Sequence, residues 1–210
     1  MEILQSITEN IINGKAKLIS DLVDQALEQG IEPRAVLDTM IEAMSIVGEK
    51  FSKQEIFVPE MLVSARTMKK GVKTLKPHLA EGAVGDQGKM IIGTVEGDLH
   101  DIGKNLVVMM IESAGFEVID LGVDVAADAF IEAIRENPDV KLVGLSALLS
   151  TTMPAMEDIV AKLNAQDFRP NIKIMIGGAP VTAEFAKKIG ADAYTEDAVS
   201  AADMAKKLVS

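Results

Sequence analysis

The fold class this sequence predicts is an open parallel α/β sheet preceded by a four-helix bundle. Three observations predict it. Through the first 80 residues the apolar positions recur at helical spacing. From Lys89 onward, short apolar runs of strand length alternate with amphipathic helical stretches, the pattern of a parallel sheet with helices on both faces. Between the two regimes lies Glu81-Gly82-Ala83-Val84-Gly85-Asp86-Gln87-Gly88, polar and glycine-rich, which reads as a linker. The expected organisation is a helical domain over 1–80, a linker over 81–88 and a five-stranded α/β domain over 89–210.

The helices justify themselves in order. Ile3, Leu4, Ile7, Ile11 and Ile12 form one stripe, ended by Asn13-Gly14. Leu18, Ile19, Leu22, Val23, Ala26 and Leu27 form a second, stopped at Gly30. Pro33 opens a third helix carrying Val36, Leu37, Met40, Ile41, Met44 and Val47. Pro59 opens a fourth, with Met61, Leu62, Ala65, Met68, Val72 and Leu75 on one side. Short connections between amphipathic helices predict a bundle, with the methionines in its core. Strands are expected over 89–95, 116–121, 140–146, 172–176 and 191–194. Helices are expected to about Ala114, then over 126–136, 153–166, 181–189 and 198–208.

Composition removes several classes of function. The 210 residues include no cysteine, which excludes disulfides, thiolate metal sites and thiol nucleophiles and fits a reducing cytosol. Formal charge is −11, so neither nucleic acid nor an anionic membrane attracts the chain, and both are excluded as expected partners. Aromatics are 3% with no Trp, too few for a base-stacking platform. The opening MEILQSITEN lacks the pattern of a signal peptide, and no apolar run is long enough to span a bilayer. A cytoplasmic protein is expected.

In open parallel sheets ligands bind at the carboxyl ends of the strands. That rule selects three loops: Glu96–Gly103, Ala147–Thr152 and Gly177–Pro180. The first holds the densest chemistry, Gly93-Thr94-Val95-Glu96-Gly97-Asp98-Leu99-His100-Asp101-Ile102-Gly103-Lys104-Asn105. It is not a phosphate-cradling loop, because five residues separate Gly97 from Gly103 and Asn105 stands where a hydroxyl is needed. Its glycine spacing does not fit a dinucleotide fingerprint either. One of only two histidines, His100, lies here, two residues after a carboxylate able to orient its ring. The other, His78, ends the fourth helix, where a helix dipole or solvent explains it. Glu96 and Asp101 read as solvated or capping acids.

Asp98-x-His100-x-x-Gly103, then Ser146-x-Leu148, then Gly177-Gly178 resembles the cobalamin-binding signature. The run Gly97-Asp98-Leu99-His100-Asp101-Ile102-Gly103-Lys104-Asn105 is similar to that of the small corrinoid proteins of methanol, methylamine and betaine methyltransferase systems, relatives of the cobalamin-binding module of methionine synthase. Phe57-Val58-Pro59-Glu60, continuing to Ser64-Ala65-Arg66, is similar to the helical cap that precedes that module. The resemblance spans nearly the whole chain and implies a flavodoxin-like (Rossmann-like) sheet holding cobalamin or a related corrinoid.

The resemblance also implies roles. His100 is the lower axial ligand of cobalt, replacing the cofactor's own base. Asp98 accepts a hydrogen bond from its other ring nitrogen, and Thr152 extends the relay. When the methyl group leaves, the histidine lets go of the metal and takes up a proton, so Asp98 and Thr152 tune that equilibrium. Ser146 meets the displaced nucleotide tail and Ser150 the corrin. Gly103, Gly177 and Gly178 let the tail approach the backbone, and Ala198, in the last loop, matches a nucleotide contact. Gly97, Leu99, Asp101, Ile102 and Leu148 complete the cofactor site. Phe57, with Met61 one turn on, faces the upper side of the corrin as an apolar lid, and the linker lets the bundle swing. The function implied is a methyl carrier, a shuttle subunit and not a complete enzyme. Its partners are a substrate-specific corrinoid methyltransferase, a second methyltransferase using a folate, pterin or coenzyme M acceptor, and a reductive activase. Two alternatives stay open: a cobalamin-dependent sensor or regulator, which needs an output module not evident here, and a flavodoxin-like or receiver module. The ending Gly144-Leu145-Ser146, with no phosphorylatable Asp, counts against a receiver.

Overall fold

A computed structural model describes residues 2–79 and 87–209. Residues 81–86 of the expected linker lie outside the described residues. The chain divides into two compact units, one carrying the four N-terminal helices and one beginning at Gln87.

The helical unit holds α1 (Glu2–Ile12), α2 (Ile19–Glu28), α3 (Pro33–Ser52) and α4 (Val58–Leu75). Helix α1 packs on α2 and α3, and α4 packs on the same two. Ile7, Ile11, Ile19, Val23, Val36, Met40, Val47, Met61 and Met68 are buried, so the predicted stripes are the core. Full burial of each such side chain contributes about 1.5–3 kcal/mol. The turn residues act as read: Gly14 and Gly30 take φ of 65° and 75°, which a side chain resists. Helix α4 starts one residue before Pro59, because the Glu60 carboxylate accepts the Phe57 N–H at 3.1 Å and fixes the first turn there.

The α/β unit runs β1 (Lys89–Thr94), α5 (Ile102–Ser113), β2 (Glu117–Asp120), α6 (Ala127–Glu136), β3 (Val140–Ser146), α7 (Met153–Asn164), β4 (Lys173–Gly177), α8 (Ala183–Ile189), β5 (Ala193–Tyr194) and α9 (Ala198–Val209). The five strands are all parallel in the order β2-β1-β3-β4-β5, the flavodoxin-like order. Ile91, Val143, Leu145, Ile174 and Ile176 point to one face and join Phe130 and Ile134 of α6 and Ile159, Val160 and Leu163 of α7 in one buried cluster. Met90, Ile92, Leu142 and Met175 alternate to the other face and are buried as well.

Most boundaries shift by a residue or two, and two of the shifts have a local reason. Helix α8 starts at Ala183 instead of Val181, because the Thr182 hydroxyl caps it by accepting the Phe185 N–H at 3.1 Å. Strand β5 is two residues long, not four, because the Asp192 carboxylate takes the Ile174 N–H at 2.7 Å in place of strand backbone. Among the described residues, no helix is long and apolar enough to cross a membrane.

Candidate functional site

The strand order reverses its direction of growth at β1. The chain passes from β1 to β2 on one side and returns to β3 on the other, which makes the carboxyl ends of β1 and β3 the crevice where such sheets bind ligands. Thr94, Ser146 and Gly177 pair across the sheet at the same level, so all three predicted loops leave it side by side.

Asp98 bridges that crevice. It is 0% exposed, yet its carboxylate collects five donors. Oδ1 accepts the His100 N–H at 3.0 Å and pairs with His100 Nδ1 at 2.7 Å. Oδ2 accepts the Leu148 N–H at 2.8 Å, the Leu149 N–H at 3.3 Å and the Thr152 hydroxyl at 2.9 Å. The Thr152 hydrogen has a second possible acceptor, the Leu149 carbonyl at 2.9 Å, and the charged oxygen is the stronger of the two. Burial by itself pushes the Asp98 carboxyl up. The hydrogen bonds from the Leu148 and His100 N–H groups, the His100 ring and the Thr152 hydroxyl outweigh it and hold the carboxyl well below the usual carboxylate range.

An ionised carboxylate can only accept, so Nδ1 of His100 carries the hydrogen of that bond. In the neutral ring the lone pair is then on Nε2, which has no hydrogen-bond partner among the described residues and belongs to a side chain 51% exposed. Beside it stand Leu99 and Ile102, 71% and 81% exposed, and across the crevice the exposed Leu148 and Leu149. A ring nitrogen left bare beside exposed apolar side chains is a surface that a large, flat metallo-macrocycle would fit: the nitrogen would hold the metal, and the leucines and isoleucine would give apolar contact.

The three predicted glycines separate on physical grounds. Gly178 takes φ of 126°, and a Cβ there would overlap the Ala147 carbonyl, so the fold alone demands glycine. At Gly177 a Cβ would sit 3.2 Å from the Thr195 carbonyl, a tight approach. At Gly103 a Cβ would meet nothing within 4 Å and φ is ordinary. Gly103 stands in the first turn of α5, and no contact among the described residues requires a glycine there.

Other predicted residues fall as follows. Ser146 is half-buried at the end of β3 and Ser150 is exposed in the 3-10 turn Ser150–Thr152. Asp101 is exposed; its carbonyl accepts the first bond of α5 from the Asn105 N–H at 2.7 Å. Ala198 is not in a loop: it is the buried first residue of α9, whose start is capped by Asp197 accepting the Ser200 N–H at 2.8 Å. Phe57 and Met61 do not share an open face as expected, since one is 65% exposed and the other 2%. The helical spacing that brings Met61 one turn on also aims it into the bundle core.

Sequence reasoning missed the scaffold of the loop. The buried Thr94 hydroxyl donates to the His100 carbonyl at 2.9 Å. Asp124, 27 residues from Gly97, accepts its N–H at 2.7 Å. Lys104 is buried and paired with Asp120, whose other oxygen accepts the Gly122 N–H at 2.9 Å. No local pattern announces the Asp124–Gly97 and Lys104–Asp120 contacts, because they join residues 27 and 16 positions apart.

The fold and site define a corrinoid-binding class, and comparison with known proteins agrees. The chain belongs to the B12 binding domain family, which matches residues 88–203, with a second B12 binding domain match at residues 3–76. Its cofactor is accordingly cobalamin or a related corrinoid. It is 40% identical to dimethylamine corrinoid protein 1 of Methanosarcina acetivorans over 99% of this chain and 98% of that one. It is 33% identical to a corrinoid protein of Desulfitobacterium hafniense over 100% and 98%. Among solved structures, a cobalamin-binding protein from Desulfitobacterium hafniense is similar with a TM-score of 0.82 at 29% identity, covering 99% of this chain and 98% of that one. The methanol:cobalamin methyltransferase complex of Methanosarcina barkeri contains a chain similar with a TM-score of 0.86 at 27% identity, covering 99% and 80%.

Proposed function

We propose that this protein is a methyl carrier that works between two methyltransferases, with His100 as the residue that holds the corrinoid's metal. The observation that carries the reading is the pairing of buried Asp98 with His100 Nδ1, which leaves Nε2 bare at an exposed apolar edge. When bound, the corrinoid supplies a metal that holds and gives up a methyl group. The chain's own residues do the rest. Asp98 fixes the ring's tautomer and direction. The Thr152 hydroxyl and the Leu148 N–H hold Asp98 in place, so the ring cannot turn without breaking bonds to a buried charge. Leu99, Ile102, Leu148 and Leu149 supply apolar contact, and Gly103, Ser146, Ser150, Gly177 and the segment ending at Ala198 border the space for the cofactor's tail.

The partners are methyltransferases: one specific for the methyl donor and one for a folate, pterin or coenzyme M acceptor, with a reductive activase restoring oxidised cofactor. Similarity to dimethylamine corrinoid proteins makes a methylamine methyltransferase the first donor-side partner to test. The same reading places the protein in the cytoplasm. Reconstituted protein is expected to carry about one cobalt per chain and to accept methyl groups from such a partner. Protein that binds corrinoid stoichiometrically yet accepts no methyl group from methylamine, methanol or betaine methyltransferases would not be a carrier of this kind.

A further inference from the structure

We propose that Asp124, on the loop between β2 and α6, is a positioning residue that sets where the His100 loop stands; this rests on the reading of His100 as the metal-binding residue. Asp124 takes φ of 55°, in the left-handed region that residues bearing a Cβ resist and that Asp and Asn tolerate best. That conformation does two things at once. It brings the Asp124 carboxylate onto the Gly97 N–H at 2.7 Å, and it lets the Asp124 N–H donate to the Asp98 carbonyl at 3.0 Å. The next residue, Val125, continues the attachment by donating its N–H to the Thr94 carbonyl at 3.0 Å.

The two residues that precede Leu99 and His100 are therefore suspended from one residue of another loop. Gly97 is itself left-handed, at φ of 80°, so its amide could turn away if nothing held it. Asp98 has to aim one carboxylate at the His100 ring and at the Leu148 N–H together. It can do so only if its backbone is fixed. Thr94 holds the far end of the loop at the His100 carbonyl, and Asp124 holds the near end. Asp124 thus acts on the imidazole through Asp98, without contact of its own to the ring.

Two substitutions separate this role from a general structural one. Asp124→Asn keeps an oxygen to accept from Gly97 and tolerates the left-handed conformation. Asp124→Gly keeps the backbone conformation at no steric cost and removes only the acceptor. Two readouts are followed: exchange of the Gly97 amide in corrinoid-free protein, by NMR, with the Ile91 amide of β1 as reference, and nitrogen hyperfine splitting of the cobalt(II) EPR signal in loaded protein. In Asp124→Gly the Gly97 amide is expected to exchange about tenfold faster or more, the size of a lost bond to a charged acceptor. The Ile91 amide stays protected, cobalt content per chain is unchanged, and part of the signal loses its splitting. Asp124→Asn, which keeps a neutral acceptor, loses less of the Gly97 protection than Asp124→Gly and keeps the splitting. The proposal is overturned if Asp124→Gly keeps either the Gly97 protection or the full splitting, if Ile91 loses protection equally, or if Asp124→Asn matches Asp124→Gly. Wild-type protein without any splitting overturns the assignment of His100 itself, a result distinct from the others.

Discussion

Asp98 is the residue on which the site's electrostatics turn, and its substitution has a defined signature. Asp98→Asn replaces one acceptor oxygen by an NH2 group that faces donors, leaving buried N–H groups unpaired. The expected loss is about 1–3 kcal/mol. Its pH dependence follows from the direction of the carboxyl's shift. The carboxyl is held below its unfolded value of about 3.9, so its contribution is fully present above that pH and is lost as pH falls toward the folded value. Urea unfolding of the two proteins is therefore expected to give a constant stability difference above about pH 5, shrinking below about pH 4. A difference that stays constant down to pH 2.5 would show that the buried carboxyl does not hold its charge as described. In loaded protein, Asp98→Asn and Thr152→Val are expected to keep most of the corrinoid while changing how much of it has histidine bound. Unchanged spectra in both would remove the relay.

At the scale of elements, the glycines separate fold from cofactor. Gly178→Ala is expected to destabilise the protein without its cofactor by more than about 1–2 kcal/mol, since the left-handed conformation and the Ala147 carbonyl both oppose a Cβ. Gly103→Ala is expected to do the reverse: stability unchanged or raised by up to about 1 kcal/mol, with weakened corrinoid uptake. Thermal melts of stripped protein and titration with corrinoid measure the two effects. A Gly103→Ala protein that takes up corrinoid as wild type does would mean that the space above Gly103 is not used. The sequence made the three loops legible because strand ends carry them and because Gly, His, Ser and paired glycines are conspicuous there. It did not reveal which glycine serves the fold, since that depends on Ala147 and Thr195 lying across neighbouring strands. Periodicity starts the last helix at Ala198, where Asp197 caps α9; only the resemblance set that residue in a loop.

The whole molecule was legible in its order of elements, because two periodicities, one helical and one of alternating strands and helices, divide cleanly near residue 88. The resemblance implied the flavodoxin-like class, and the structure shows its strand order, β2-β1-β3-β4-β5. What periodicity conceals is which side of a helix is open: Phe57 and Met61 lie one turn apart, yet the first is exposed and the second buried. Cofactor binding should register on the α/β unit as a whole. Corrinoid at a hundredfold its Kd is expected to raise stability by about 2.7 kcal/mol, with amide protection rising in β1, β3 and the loops that leave them. A gain without added protection in those loops would place the cofactor elsewhere.

His100 Nε2 as the metal ligand is the claim on which the rest stands, and cobalt(II) EPR of reconstituted protein tests it most directly. One imidazole nitrogen bound to the metal predicts hyperfine splitting from a single nitrogen in wild type, lost in His100→Ala while cobalt remains bound. Splitting that persists unchanged in His100→Ala would contradict it.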